Sequence, residues 1–152
     1  MDPVMMSTLG KLGAAAALGL SAVGSALGIG ASGSASIGIW KRSYAHNKTA
    51  PFILFVFIGA PMSQTIYGMI LMNQIVNLSN ASGFTNWGAM IGAGVFGGLG
   101  MGASAWLQGV AGAAAADAMA DTGKGFGNYL MVLGIIETIA LFILVFIGAV
   151  IK

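Results

Sequence analysis

Four stretches of this chain, 12–40, 51–75, 87–116 and 126–151, stay predominantly apolar for 25 residues or more. About 20 apolar residues in a helix rising ~1.5 Å each cross the ~30 Å hydrocarbon layer of a bilayer. Hydrocarbon offers backbone N–H and C=O groups no partners, so each stretch is expected to be a helix that satisfies its own backbone. Composition agrees, because only 7% of the 152 residues are charged, against roughly 25% in an ordinary soluble domain. The first stretch follows Lys11 as the core of a secretory leader would. It is far longer than the ~7–15 residues of such a core, and is read as a retained helix.

The connectors at 41–48, 77–86 and 117–124 are polar and short, which makes successive helices antiparallel. Lys41, Arg42, Lys48 and Lys124 lie in the first and third connectors, whereas only Lys11 and Lys152 flank the opposite ends. The positive-inside rule then puts 41–50 and 117–125 in the cytoplasm and both termini outside a cell membrane that the chain crosses several times. Six scattered basic residues do not form the clustered patch that nucleic acid requires. The absence of cysteine leaves no disulfide and no thiolate metal site.

A shift of 72 residues lays LGIGAS at 27–32 over LGMGAS at 99–104, and the same shift places the second stretch on the fourth without a gap. The expected fold is therefore an all-α membrane protein made of two duplicated antiparallel hairpins, 1–76 and 77–152. Small residues recur at every fourth position in the first stretch (Ala22, Ala26, Gly30, Ser34, Gly38) and in the third (Gly94, Gly98, Gly102). Such rows let helix backbones approach closely. The second and fourth stretches are rich in Ile, Leu, Phe and Met, so the simplest assembly is a ring of identical subunits with the glycine helices inside and the bulky helices against lipid.

Of the ten charged side chains only Glu137 falls well inside an apolar stretch, and the repeat puts Thr65 at its counterpart position. A charge at the bilayer centre costs at least ~2.5 kcal/mol, so this carboxylate needs a proton, a cation or a basic partner. No Lys, Arg or His lies inside any of the four stretches. Counted from the cytoplasmic ends, Glu137 is 11 residues from Phe126, Gln64 is 13 from Pro51 and Gln108 is 9 from Asp117. At ~1.5 Å per residue the three share one level to within roughly 6 Å. Ser63 and Tyr67 form an i,i+4 pair beside Gln64, and Thr138 follows Glu137 directly. Five oxygen-bearing side chains are thus expected to gather around one carboxylate. A single anion among neutral oxygens suits a monovalent cation, sodium or a proton, better than a divalent ion. Pro61, which lacks an N–H, releases the carbonyl of Phe57 and is expected to leave the backbone near this site irregular.

The patterns PMSQTIYG, LQGVAGAAAA and IIETIALF in the second, third and fourth stretches resemble the K subunit, or proteolipid, of bacterial V-type ATPases, particularly the sodium-translocating ones. The likeness extends over essentially the whole chain. In that family two duplicated hairpins per subunit assemble into a membrane ring, and only the second hairpin keeps the essential carboxylate. The resemblance implies a sodium site of the Glu137 carboxylate, the Gln64 and Gln108 side-chain oxygens, the Ser63 hydroxyl and the Ala60 carbonyl, with Tyr67 hydrogen-bonded to the carboxylate. Ser63 stands where the sodium pumps have Thr, and Ala60 where they have Leu, so a hydroxyl and a carbonyl persist.

The resemblance further implies ring rotation driven by ATP hydrolysis in a soluble head, with partners that include a stator membrane subunit bearing an arginine and a central-stalk subunit at the cytoplasmic loops. No GxxxxGK[ST] motif occurs in the sequence, so hydrolysis is expected in another chain and no organic cofactor in this one. Two other classes compete. A small four-helix cation/proton antiporter of the multidrug type predicts aromatic faces around the carboxylate, yet Trp40 and Trp87 sit at span ends and the glycine rows go unexplained. A purely structural or pore-forming oligomer has no use for a matched set of Gln, Gln, Tyr and Glu.

Overall fold

The computed structural model describes residues 1–152 and contains helices and turns without strands. Four helical segments, α1 Pro3–Ala45, α2 Phe52–Ser79, α3 Trp87–Thr122 and α4 Phe126–Val150, are each long and apolar enough to cross a membrane. The chain is a multi-pass helical membrane protein. α1 and α3, of 43 and 36 residues, outrun the apolar stretches from which they were inferred, because hydropathy registers the oily part of a helix and not its polar ends. Much of the polar segments 41–48 and 117–124 is accordingly helix and not loop. α1 starts with Asp2 extended and Pro3 at the first helical position, where a missing N–H costs nothing. The turn from α3 to α4 narrows to Gly123 and Gly125, both at positive φ, a conformation that glycine adopts without strain.

α1 and α3 form the central pair. Gly13 meets the α3 backbone at Met90 and Gly94, Gly24 meets Gly102, and Gly28 meets Gly109. A Cβ built on Gly98 would lie 2.7 Å from the Ala16 carbonyl oxygen, and one on Gly102 would lie 2.6 Å from that of Leu20. Only glycine lets the two backbones come so near. Gly94, Gly98 and Gly102 thus face α1 as the small-residue row requires. On α1 the contact uses a different face, running from Gly13 through Leu20 to Gly28. Of the expected row, Ala26, Gly30, Ser34 and Gly38 are exposed and Ala22 is half-buried, so α1 carries two small-residue faces and packs only one of them closely on α3.

α2 and α4 flank this pair and turn bulky residues outward, among them Phe55, Met62, Ile66, Ile135, Ile139 and Phe142. α2 is interrupted at Ala60–Met62 by a 3-10 turn, at the position where Pro61 removes an amide donor. Glycine clears room for the irregular segment on both sides. An added Cβ would meet Pro61 Cβ at 2.9 Å from Gly28 and the Phe57 carbonyl oxygen at 2.9 Å from Gly112. Arg42 and Asp117 pair at 3.1 Å, which puts the first and third connectors at the same end of the bundle. Both side chains are well exposed, so the pair adds little stability.

Candidate functional site

Glu137, halfway along α4, faces the crevice between α2 and α3. Tyr67 Oη donates to Glu137 Oε1 at 2.7 Å, and Gln108 Nε2 donates to Oε2 at 3.3 Å. Gln108 uses its other amide hydrogen on the Leu133 carbonyl at 3.0 Å. Its Oε1 accepts from Gln64 Nε2 at 2.8 Å. The two glutamines are fully buried and Glu137 is half-buried. Both carboxylate oxygens therefore have donors, but neutral donors leave the negative charge uncompensated. The one salt bridge in the structure joins Arg42 to Asp117, so no cationic side chain pairs with Glu137.

Beyond Gln64 the polarity reverses. Ser63 Oγ lies 3.1 Å from the Ala60 carbonyl and 3.2 Å from Gln64 Oε1. One hydroxyl hydrogen serves two acceptors, so three oxygens are crowded together with a single proton among them. Neutral hard oxygens of this kind are the donor type taken by alkali and alkaline-earth cations, not by softer metals.

Ala60, Ser63, Gln64, Tyr67, Gln108 and Glu137 are thus joined by one hydrogen-bonded chain reaching from α2 through α3 to α4. Thr138 does not join it. Its side chain is exposed and donates to the Ile135 carbonyl at 2.7 Å, because neighbours on a helix point ~100° apart. Sequence reasoning missed Ser104, whose Oγ donates to the Ile136 carbonyl at 2.8 Å and accepts from Gln64 Nε2 at 3.4 Å. Two signals could have found it. Ser104 sits four residues before Gln108 and so shares its helix face, and the repeat matches it with Ser32.

The site is thus a half-buried carboxylate bonded to neutral donors inside a bundle of four helices long enough to span a membrane. Residues 91–147 match the family model of the C subunit of ATP synthase. The matched segment covers most of α3 and α4, and so includes Ser104, Gln108 and Glu137. The second hairpin is therefore similar to the c-type hairpin of a rotary ATPase. No curated protein matches the chain.

Proposed function

We propose that the protein is the ion-carrying subunit of a membrane rotor ring in a rotary ATPase of the V type, and that each copy carries one monovalent cation, sodium in preference to a proton, on Glu137. The observation that carries this reading is the pairing of one uncompensated carboxylate with a proton-poor cluster of neutral oxygens on the same hydrogen-bonded chain. A proton alone would neutralise Glu137 and would not call on the part-buried oxygens of Ala60, Ser63 and Gln64, which share one hydroxyl hydrogen. A dehydrated sodium ion needs them. An antiporter for organic cations finds less support, because Tyr67 is the one aromatic side chain bonded to the carboxylate, while Trp40 donates to the Pro51 carbonyl at the span end and Trp106 lies with Leu20, Val23 and Leu27 on another face of the bundle.

In the proposed cycle Glu137 crosses the lipid-facing part of the rotation neutralised by its cation. It exchanges that cation beside an arginine of a stator membrane subunit, where its charge is compensated for long enough to release and reload. A central-stalk subunit would engage the ring at 41–50 and 117–125, which face the cytoplasm in this reading, with both termini outside. Carbodiimides attack protonated carboxyls in apolar surroundings. Labelling of Glu137 in the detergent-solubilised ring is therefore expected to be fast without sodium and suppressed as sodium is added at fixed pH. Labelling that follows pH and ignores sodium would make the cargo a proton.

The ring is supported by the repeat. Ala22, Ala26 and Gly30 are the counterparts of Gly94, Gly98 and Gly102, which pack on α1 within the subunit. A second copy can offer the first row the same kind of partner through Gly88 and Gly92 on its α3, the counterparts of Ala16 and Leu20. A Cβ built on Gly30, Gly88 or Gly92 finds no neighbour within 4 Å in the single subunit, so the surface is open. Repeating this head-to-tail contact builds a ring when its rotation closes. Gly98→Val is expected to destabilise the subunit itself, by about 1–3 kcal/mol for overpacking. Gly30→Val should leave the subunit folded and abolish the ring. Thermal melting and native mass measurement in detergent separate the two effects, and an intact ring in Gly30→Val would remove this interface.

A further inference from the structure

We infer that Ser104 is a positioning residue for the cation site, acting by fixing which end of the Gln64 amide faces the cluster of oxygens. This deepens the proposed sodium site and rests on it. An amide side chain presents a donor at one end and an acceptor at the other, and either end fits the same space. Gln64 is fully buried on α2, so water does not decide the matter. The orientation is set by neighbours whose own polarity is fixed.

Gln108 comes first. Its Nε2 faces the Leu133 carbonyl and Glu137 Oε2, two groups that accept, while the helix leaves the carbonyl no way to turn. Reversing this amide would set oxygen against both. Gln108 Oε1 is consequently presented to Gln64 and requires a donor there. Ser104 supplies the second constraint. Its hydroxyl hydrogen is committed to the Ile136 carbonyl at 2.8 Å, so towards Gln64 it can only accept. The two hydrogens of Gln64 Nε2 are then placed on Gln108 Oε1 at 2.8 Å and Ser104 Oγ at 3.4 Å. Gln64 Oε1 is left directed at Ser63 and the Ala60 turn, where the cation needs it. If Gln64 were reversed, its nitrogen would replace an oxygen ligand and would repel the cation. Ser104 is no ligand itself, and it reaches the oxygen cluster only through Gln64.

The hydroxyl has a second effect through its own donated bond. The Ile136 carbonyl precedes Glu137 in sequence, so Ser104 ties α3 to α4 one residue from the carboxylate and holds the glutamine and carboxylate halves of the site in register. Ser104→Ala removes the acceptor for one amide hydrogen of Gln64 and frees the Ile136 carbonyl at once. One buried hydrogen bond of this kind is worth about a factor of ten in an equilibrium constant.

The test is carbodiimide labelling of Glu137 in the solubilised ring, titrated with sodium at fixed pH, for the parent, Ser104→Ala, Ser104→Cys and Ser104→Thr. The expected result is that the sodium concentration giving half-protection rises about tenfold in Ser104→Ala, rises also in Ser104→Cys, whose thiol is a weak acceptor, and returns towards the parent value in Ser104→Thr, which keeps the hydroxyl. A merely structural role would lower the melting temperature without this ordering. If the parent is protected by sodium but Ser104→Ala and Ser104→Cys show its half-protection concentration, the inference is wrong and the sodium site stands. It is equally wrong if Ser104→Thr shifts as far as Ser104→Ala. Labelling of the parent that ignores sodium overturns the sodium reading and this inference with it. Should Ser104→Ala fail to assemble, the Cys and Thr variants decide between the same outcomes.

Discussion

Glu137→Gln is expected to assemble into the ring and to carry no ion. The amide fills the space of the carboxyl, and its oxygen can still accept the hydrogen that Tyr67 Oη donates to Glu137 Oε1 at 2.7 Å. The remaining position changes sign. Where Oε2 accepts from Gln108 Nε2 at 3.3 Å, the variant would place its own NH2 against a donor, so one weak bond is lost and Gln108 Nε2 keeps only the Leu133 carbonyl. That cost is small beside the helix packing, and the ring should survive it. Transport should not survive, because a group that remains neutral neither holds a cation nor exchanges it at an arginine. Sodium uptake into vesicles containing the reconstituted pump should fall to the level of empty vesicles, while native mass measurement finds the ring unchanged. Parent-like uptake by this variant would remove Glu137 from the mechanism.

Much of the hydrogen-bonded cluster around Glu137 could be read from the sequence because helical depth is arithmetic. Counting ~1.5 Å per residue from the loop ends placed Gln64, Gln108 and Glu137 at one level, and the structure joins all three in one hydrogen-bonded chain. Azimuth was harder. Thr138 shares the depth of Glu137 yet points to the outside, and depth alone does not separate two neighbours a quarter-turn apart. Ser104 escaped because a lone serine in a glycine-rich helix looks like one more small packing residue, and its partner is the backbone of α4, which side-chain patterns do not display. The spans were found but their ends were not. Hydropathy falls off at Lys11 and Trp40, while the backbone of α1 stays helical from Pro3 to Ala45, since helix formation continues wherever Ala, Lys, Arg and Met allow it. The second small face of α1 was legible as a row, but its exposure depends on which face α3 occupies.

Thr65→Glu is expected to damage the subunit instead of adding a second carrier, and the reason lies in what the duplication did not copy. The site around Glu137 draws on both hairpins: Gln108 and Ser104 come from α3, whereas Ser63, Gln64 and Tyr67 come from α2. Shifted by 72 residues, the α3 pair becomes Ser36 and Ser32, and the α2 trio becomes Ile135, Ile136 and Ile139. A glutamate at 65 would therefore meet two serines on its own α1 and three isoleucines where the proposed ring would bring a neighbour's α4. The serines offer little. Ser32 Oγ already donates to the Gly28 carbonyl at 3.1 Å and Ser36 Oγ to the Ser32 carbonyl at 2.8 Å. No amide, phenol or oxygen cluster remains to hold the new charge or a cation on it, so the carboxyl would have to stay protonated in an apolar wall or unfold its surroundings. A cost of at least ~2.5 kcal/mol follows from placing an acidic side chain at that depth, and ring yield and melting temperature should both fall. Carbodiimide labelling at 65 should ignore sodium, in contrast to labelling at Glu137. Stable rings of Thr65→Glu that move about twice the sodium per ATP hydrolysed by the assembled pump would show that a bare carboxyl at the right depth suffices, and that the neutral oxygens around Glu137 are packing and nothing more.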